Sequence, residues 1–242
     1  MIFFKNVTKY YKAYNAHPYT LKNFLINFKK IKEYSNSIKE IKILENFTLN
    51  IDNGDIFCIV GKNGTGKSTI AKLIAKTIYP TSGKIIVKGK VVPFLELGVA
   101  FNNELTGIEN TFLNGILLGM NFNYIRKNLF EIFEYAEITD FMNTPLKFYS
   151  SGMRMRLAFS IAVHAKGDIY IFDEILAVGD EDFSKKCIKF FYDLINSKKT
   201  VIFISHDINL VKNIATKILY LKGNGKYELI DDKEKIKSFQ LT

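Results

Sequence analysis

DIFCIVGKNGTGKSTIAKLIAKTI, residues 55–78, is the stretch that decides the fold. Its first six residues are almost entirely apolar, as expected of a parallel strand buried on both faces. Gly61, Lys62, Asn63, Gly64, Thr65, Gly66, Lys67 and Ser68 then fit the pattern G-x-x-x-x-G-K-[ST], and Thr69 leads into an apolar helical run. Glycines at these positions let backbone N–H groups close around phosphate oxygens, and the positive end of the following helix adds to the attraction. Lys67 is placed to reach the β- and γ-phosphates of a nucleotide, and the Ser68 hydroxyl to coordinate Mg²⁺. A glycine turn with no ligand is the competing reading. The strand–turn–helix context argues against it.

The same texture recurs along the chain. DIYIFDE (168–174) is a second buried strand whose terminal Asp173 aims a carboxylate at the Mg²⁺ held by Ser68. The adjacent Glu174 is placed to orient or deprotonate an attacking water. TVIFISHD (200–207) is a third strand, with His206 just past its end. Ligands of open parallel sheets collect at the carboxyl ends of strands, so His206 and Asp173 are expected to face the same phosphates. A satisfied structural histidine is the plainer alternative for His206. IFFKNVTKYY reads as an edge strand, KILENFTLNID as another, and ILYLKGNGKYELI as a hairpin turning at Asn224-Gly225. Helical patterns fill the region from about 100 to 165. Strands alternating with helices predict an α/β protein with a parallel sheet and a helical insertion, organised as one domain over 1–242.

Composition sets the outer limits. The 242 residues, 48% apolar with 21 Phe, are ample for a packed core and exclude wholesale disorder. Cys58 and Cys187 show no metal-ligand spacing and read as small hydrophobes in a reducing compartment. No secretory pattern opens the chain, and no apolar run approaches the roughly 18 residues that span a bilayer. The net charge of +10 is uneven, since residues 1–49 hold nine Lys against three Glu. Nucleic acid, anionic lipid or an acidic partner could exploit that excess, and so could plain water over a solvated face. Within it, Leu21, Phe24, Leu25, Phe28 and Ile31 make a helical stripe with lysines opposite. Segment 20–34 therefore reads either as a membrane- or partner-facing helix or as an ordinary surface helix.

The loop GKNGTGKST, the helix opening YSSGMRMRLAFSIAV (149–163), FDEILAVGD and FISHD stand in the order and spacing of an ABC-transporter nucleotide-binding domain, which the chain resembles over nearly its whole length. The resemblance implies a RecA-like P-loop NTPase core, an N-terminal antiparallel β subdomain and an inserted α-helical subdomain. It implies ATP and Mg²⁺ as cofactors and ATP hydrolysis as the reaction, with Lys67, Glu174 and His206 catalytic. It also implies a homodimer, in which the signature turn of one copy covers the nucleotide of the other. The family pattern L-S-G-G-Q falls on Tyr149, Ser150, Ser151, Gly152 and Met153; Ser150 and Gly152 match it, and the other positions differ. Arg154 and Arg156 are expected to support the helical insertion. Asp180 matches the aspartate that couples the two sites, and Tyr11 (with Tyr10 next) the aromatic that stacks on adenine.

FLELGVAFNNELTGIENTFLNGILLGM, the Tyr-Ser-Ser-Gly-Met turn and DEILAVGDEDFSKKC resemble more narrowly the subfamily that exports O-antigen, capsule and teichoic acid. That likeness implies a separate polytopic permease, a lipid-linked polysaccharide as substrate, and a peripheral position on the cytoplasmic face of the membrane. Some such ATPases carry a carbohydrate-binding domain after the nucleotide domain, and none is expected here. One departure stands out: the segment where the family places an Mg²⁺-touching glutamine, PFLELGVAFNNELTG, contains no Gln, leaving Glu96 or Asn102 as the replacement. A non-transport ABC ATPase regulating a membrane or cell-wall partner is the alternative. Nucleic acid is not expected as a partner, because the coiled coils and tandem domains of the ABC proteins that act on DNA or ribosomes are missing.

Overall fold

Strands that are apolar at every position belong in the middle of a covered parallel sheet. The computed structural model, which describes residues 1–14, 38–95, 97–173 and 180–240, places them there. β3 (Ile56–Gly61) is buried at all 6 residues and lies between β7 (Thr200–Ile204) and β8 (Lys217–Gly223), parallel to both. β6 (Ile169–Asp173) pairs with β7, and β5 (Val91–Phe94) with β6. β9 (Lys226–Ile230) turns back antiparallel to β8, giving the order β5-β6-β7-β3-β8-β9. The hairpin expected at Asn224-Gly225 is present. Both residues have positive φ (52° and 77°), the signature of a type I′ turn.

Alternation along these strands divides the core in two. Phe57, Ile59, Ile171, Ile202 and Leu219 face one side, packed by α1 (Lys67–Ile74) and by Ile2, Phe4, Leu44 and Phe47 of a second sheet. Cys58, Val60, Phe172, Phe203 and Ile218 face the other. That side is covered by α4 (Ser151–His164) and α5 (Glu181–Asn196). Phe94 stacks on Phe172 with centroids 4.6 Å apart, and Phe159 of α4 lies 5.1 Å from Phe94 and 5.8 Å from Phe183. Both free cysteines are buried in this cluster, and burial pushes their thiols well above the usual range, consistent with small apolar fillers.

The second sheet is antiparallel, ordered β2-β1-β4 from β1 (Ile2–Tyr14), β2 (Ile38–Ile51) and β4 (Ser82–Val87). Here the structure corrects one expectation: β1 is the central strand, bonded on both sides, not an edge. Alternating burial of Ile2 and Phe4 announces which face is covered, but it carries no information about which backbone edges are paired. β5 was not anticipated either. It is short and contains Pro93, which cannot donate to a ladder and is tolerated because β5 bonds to β6 alone. The amphipathic segment 20–34 lies outside the described residues.

The helical region comprises α2 (Gly107–Leu117), α3 (Phe122–Tyr135), short 3-10 turns at 139–141 and 146–148, and α4. Thr106 and Glu109 form a reciprocal capping box that starts α2. α4 belongs to both regions, because Leu157 and Phe159 join the sheet core while the buried Ser160 hydroxyl donates to Ile132 O of α3 at 2.6 Å. Four helices end on a residue other than glycine in the left-handed region: Lys76 after α1, Glu137 after α3, Lys166 after α4 and Lys198 after α5. Each such residue costs roughly 1–2 kcal/mol relative to a right-handed one.

Candidate nucleotide-binding site

Phosphate binding by a loop requires backbone amides that converge and a helix end that no side chain has already claimed. Gly66 caps α1 at φ 106°, with no side-chain cap and no acidic residue in the first turn. A Cβ on Gly66 would stand 2.3 Å from Ile43 Cγ2, and one on Gly61 would stand 2.5 Å from Leu221 O. Glycine is therefore required at both positions by space as well as by backbone angle. Inside the loop, Thr65 Oγ1 donates to Lys62 O at 2.8 Å. Lys67, a residue only 8% exposed, donates from its ammonium to Gly61 O (2.9 Å) and Lys62 O (3.2 Å). The loop is thus braced by its own polar groups.

The carboxyl ends of the central strands deliver the remaining groups. Asp173 ends β6 beside Ile204 of β7, and Ser68 Oγ donates to Asp173 Oδ2 at 3.1 Å. His206 follows β7, just before Asp207, which caps α6 (Ile208–Ile214) through the N–H groups of Asn209 and Leu210. A cleft of about 400 Å³ is lined by Ile43, Asn63, Gly64, Gly66, Lys67, Ser68, Thr69, Asp173 and His206. An ammonium, an imidazole, two hydroxyls and a carboxylate beside the loop amides can hold a polyphosphate together with its cation. The neighbouring hydroxyl and carboxylate oxygens suit a hard cation such as Mg²⁺, which takes few protein ligands alongside phosphate oxygens. Ile43 is the lining residue that sequence reasoning missed. It comes from β2, and nothing in its local sequence signals a place against the loop.

Among the described residues, Tyr11, Asn102 and the turn at 150–153 do not line this cleft. Tyr11 is 42% exposed on β1, paired with Ile41, and Lys9 Nζ lies 5.0 Å from its ring centroid. Asn102 Oδ1 accepts from Glu104 N at 3.0 Å within its own loop and does not line the cleft. Glu96 and Glu174 lie outside the described residues. Ser150 caps α4, its Oγ accepting from Met153 N at 3.1 Å, and the turn through exposed Ser151 to Met153 also does not line the cleft. A Cβ on Gly152 would meet nothing nearer than Ser150 Oγ at 3.8 Å, so the space above this turn is open.

Tyr149 is buried and donates from its hydroxyl to Phe141 O at 2.6 Å, and burial pushes its pKa up to about 12. This phenol anchors the turn to the helical insertion. Asp180 caps α5 through Phe183 N (3.0 Å) and pairs with Arg156. The Phe183 N–H first, and Arg156 after it, hold the Asp180 carboxyl below its ordinary range. Arg156 also pairs with Glu137, joining the helical insertion to α5, which is the supporting role expected of it.

Residues 44–177 match the family model for ABC transporters. The chain is 39% identical over 231 residues to the teichoic acids export ATP-binding protein TagH of Bacillus anthracis, covering 96% of this chain and 41% of that protein. It is 35% identical over 229 residues to the O-antigen export system ATP-binding protein RfbB of Klebsiella pneumoniae, covering 95% and 93%. Among solved structures, a dimeric post-hydrolysis state of an ATP-binding cassette bound to ADP and Pi superposes with a TM-score of 0.69. That match is 25% identical and covers 94% of this chain and 98% of the other. A glycine loop, an acidic strand end and a histidine gathered in one cleft, on a fold shared with nucleotide-bound cassettes, agree with these likenesses: the chain belongs to the ABC transporter family.

Proposed function

We propose that this chain is the ATP-binding and ATP-hydrolysing subunit of an export system for a lipid-linked surface polysaccharide, of the O-antigen, capsule or teichoic-acid kind. It works as a homodimer docked on a separate polytopic permease at the cytoplasmic face of the membrane. The observation that carries the reading is the convergence of Lys67, Ser68, Asp173 and His206 in the cleft above the glycine loop. The names of the relatives supply the export role, and no helix among the described residues is long and apolar enough to cross a membrane. The lysine excess of residues 1–49 then suits anionic lipid or the permease, and nucleic acid is not expected as a partner.

In this reading the amides of residues 63–69 and the Lys67 ammonium bind the β- and γ-phosphates, and the adenine lies toward Tyr11. Ser68 and Asp173 would hold Mg²⁺, which neutralises charge building on the phosphoryl oxygens. Glu174 accepts a proton from the water whose oxygen attacks the γ-phosphorus. The bond from that phosphorus to the β,γ-bridging oxygen breaks, and His206 steadies the departing phosphate. Ser150, Ser151, Gly152 and Met153 of the partner copy close over the γ-phosphate, using the N-terminal end of α4. Asp180 communicates between the two sites.

Glu174→Gln tests the scheme, because it keeps shape and hydrogen bonding while removing the base. The variant is expected to bind ATP, to accumulate as a nucleotide-bound dimer on size-exclusion chromatography, and to lose turnover. Wild-type turnover in this variant would remove Glu174 from its role.

A further inference from the structure

Glu137 is out of place on two counts. It ends α3 in the left-handed conformation at φ 58°, where glycine is usual, and it sets a negative charge on the negative end of a helix dipole. The ending is otherwise well formed: Glu137 N donates to Glu134 O at 3.0 Å and Ile138 N to Phe133 O at 3.2 Å, the paired bonds of a Schellman motif. Lys76, Lys166 and Lys198 hold the equivalent position after α1, α4 and α5, and theirs is the sign the dipole favours. Only α3 ends on an acid among these four.

The Glu137 side chain shows why. Its carboxylate receives Arg156 Nη1 at 2.9 Å and Lys186 Nζ at 2.5 Å. The second nitrogen of the same guanidinium, Nη2, donates to Asp180, and the Phe183 ring lies 5.3 Å from the guanidinium carbon. The Arg156 side chain keeps 17% exposure, less than half that of Glu137 at 40%. Isolated surface pairs contribute little, but here one planar fork is clamped between the end of α3 and the start of α5. It projects from α4, whose first turn carries Ser150–Met153, and it grips the residue that begins α5, downstream of Asp173 at the end of β6.

We propose that Arg156 is a positioning residue: held by Glu137 and Asp180, it fixes the angle of the α4 N-terminal turn against the sheet, so that the turn meets the nucleotide of a second copy in one register. This rests on Ser150–Met153 serving the other copy's site. A lysine cannot replace the arginine fully, because a point charge cannot bridge two carboxylates in fixed geometry.

Glu137→Gly is the informative variant, since it relieves the backbone while removing the clamp. In the full chain, three quantities are measured: the thermal midpoint, the affinity of the isolated subunit for a fluorescent ATP analogue, and kcat and KM for ATP hydrolysis. The expected result is an unchanged or higher midpoint, unchanged analogue affinity, and a kcat lower by on the order of tenfold, the scale on which small misplacements act. Arg156→Lys is expected between wild type and Arg156→Gln in kcat. A wild-type kcat in Glu137→Gly or in Arg156→Lys, or a kcat loss that merely follows a lowered midpoint, overturns the inference. Ser150→Arg separates the two levels. If it still dimerises and turns over ATP, the shared-site reading fails and the positioning role falls with it. If it blocks dimerisation while Glu137→Gly keeps full kcat, the positioning role alone fails.

Discussion

Two helix starts in this molecule offer the same kind of backbone terminus in different surroundings. α1 begins at a left-handed glycine, with no side-chain cap, and the groups a phosphate needs already surround it. α4 begins at Ser150, whose hydroxyl already occupies the N–H of Met153, and its first turn does not line the cleft above the glycine loop. The first lies in a cleft lined by this chain, while the second is a turn with Ser150 and Ser151 exposed. A helix dipole is common to both, so the dipole alone does not make a site. What differs is the set of side chains gathered around each, and in the proposed dimer the second copy's cleft would supply them at α4.

The comparison breaks first at α1. Lys67→Ala removes the buried ammonium that fills the loop, and turnover is expected to fall by at least roughly 10²–10³-fold, as when one donor to a developing oxyanion is lost; equilibrium binding of a fluorescent ATP analogue should weaken in parallel. Gly66→Ala comes next. The new methyl meets Ile43 at a backbone angle that non-glycine residues rarely hold, at an expected stability cost of about 1–3 kcal/mol in a denaturant titration. Ile43→Ala should recover only part of that loss, because it makes room but leaves φ at 106°. The smallest effect belongs to α4. Ser150→Ala removes one cap bond, worth about 1 kcal/mol, or a thermal midpoint lower by about 2–4 °C. Equal losses from the Gly66 and Ser150 substitutions would erase the distinction between the two starts.

The difference also explains which parts were legible in the sequence. The glycine loop is local, because spacing, strand and helix all sit within a few turns of chain and each constrains the others. Asp173 and His206 were legible because buried parallel strands announce their carboxyl ends. Ile43 was not, since its contact with Gly66 depends on how the small sheet packs against the large one. β1 was placed at an edge because burial alternation reports faces and is silent on ladder bonds, and Pro93 disguised β5. Arg156 was expected to support the helical insertion, but its partners are 19 and 24 positions away, so the fork could not be read from spacing.

The neighbours of β3 carry a consequence for how the protein is made. β3 is made well before both strands that flank it, β7 and β8, which lie beyond residue 199, and the backbone that closes against Gly61 belongs to Leu221. Pairings of such long sequence separation form late, because the entropy of closing the intervening chain must be met before they contribute. The nascent glycine loop therefore lacks the walls that shape it until the chain through β8 has been made, and competence to bind nucleotide waits for those pairings.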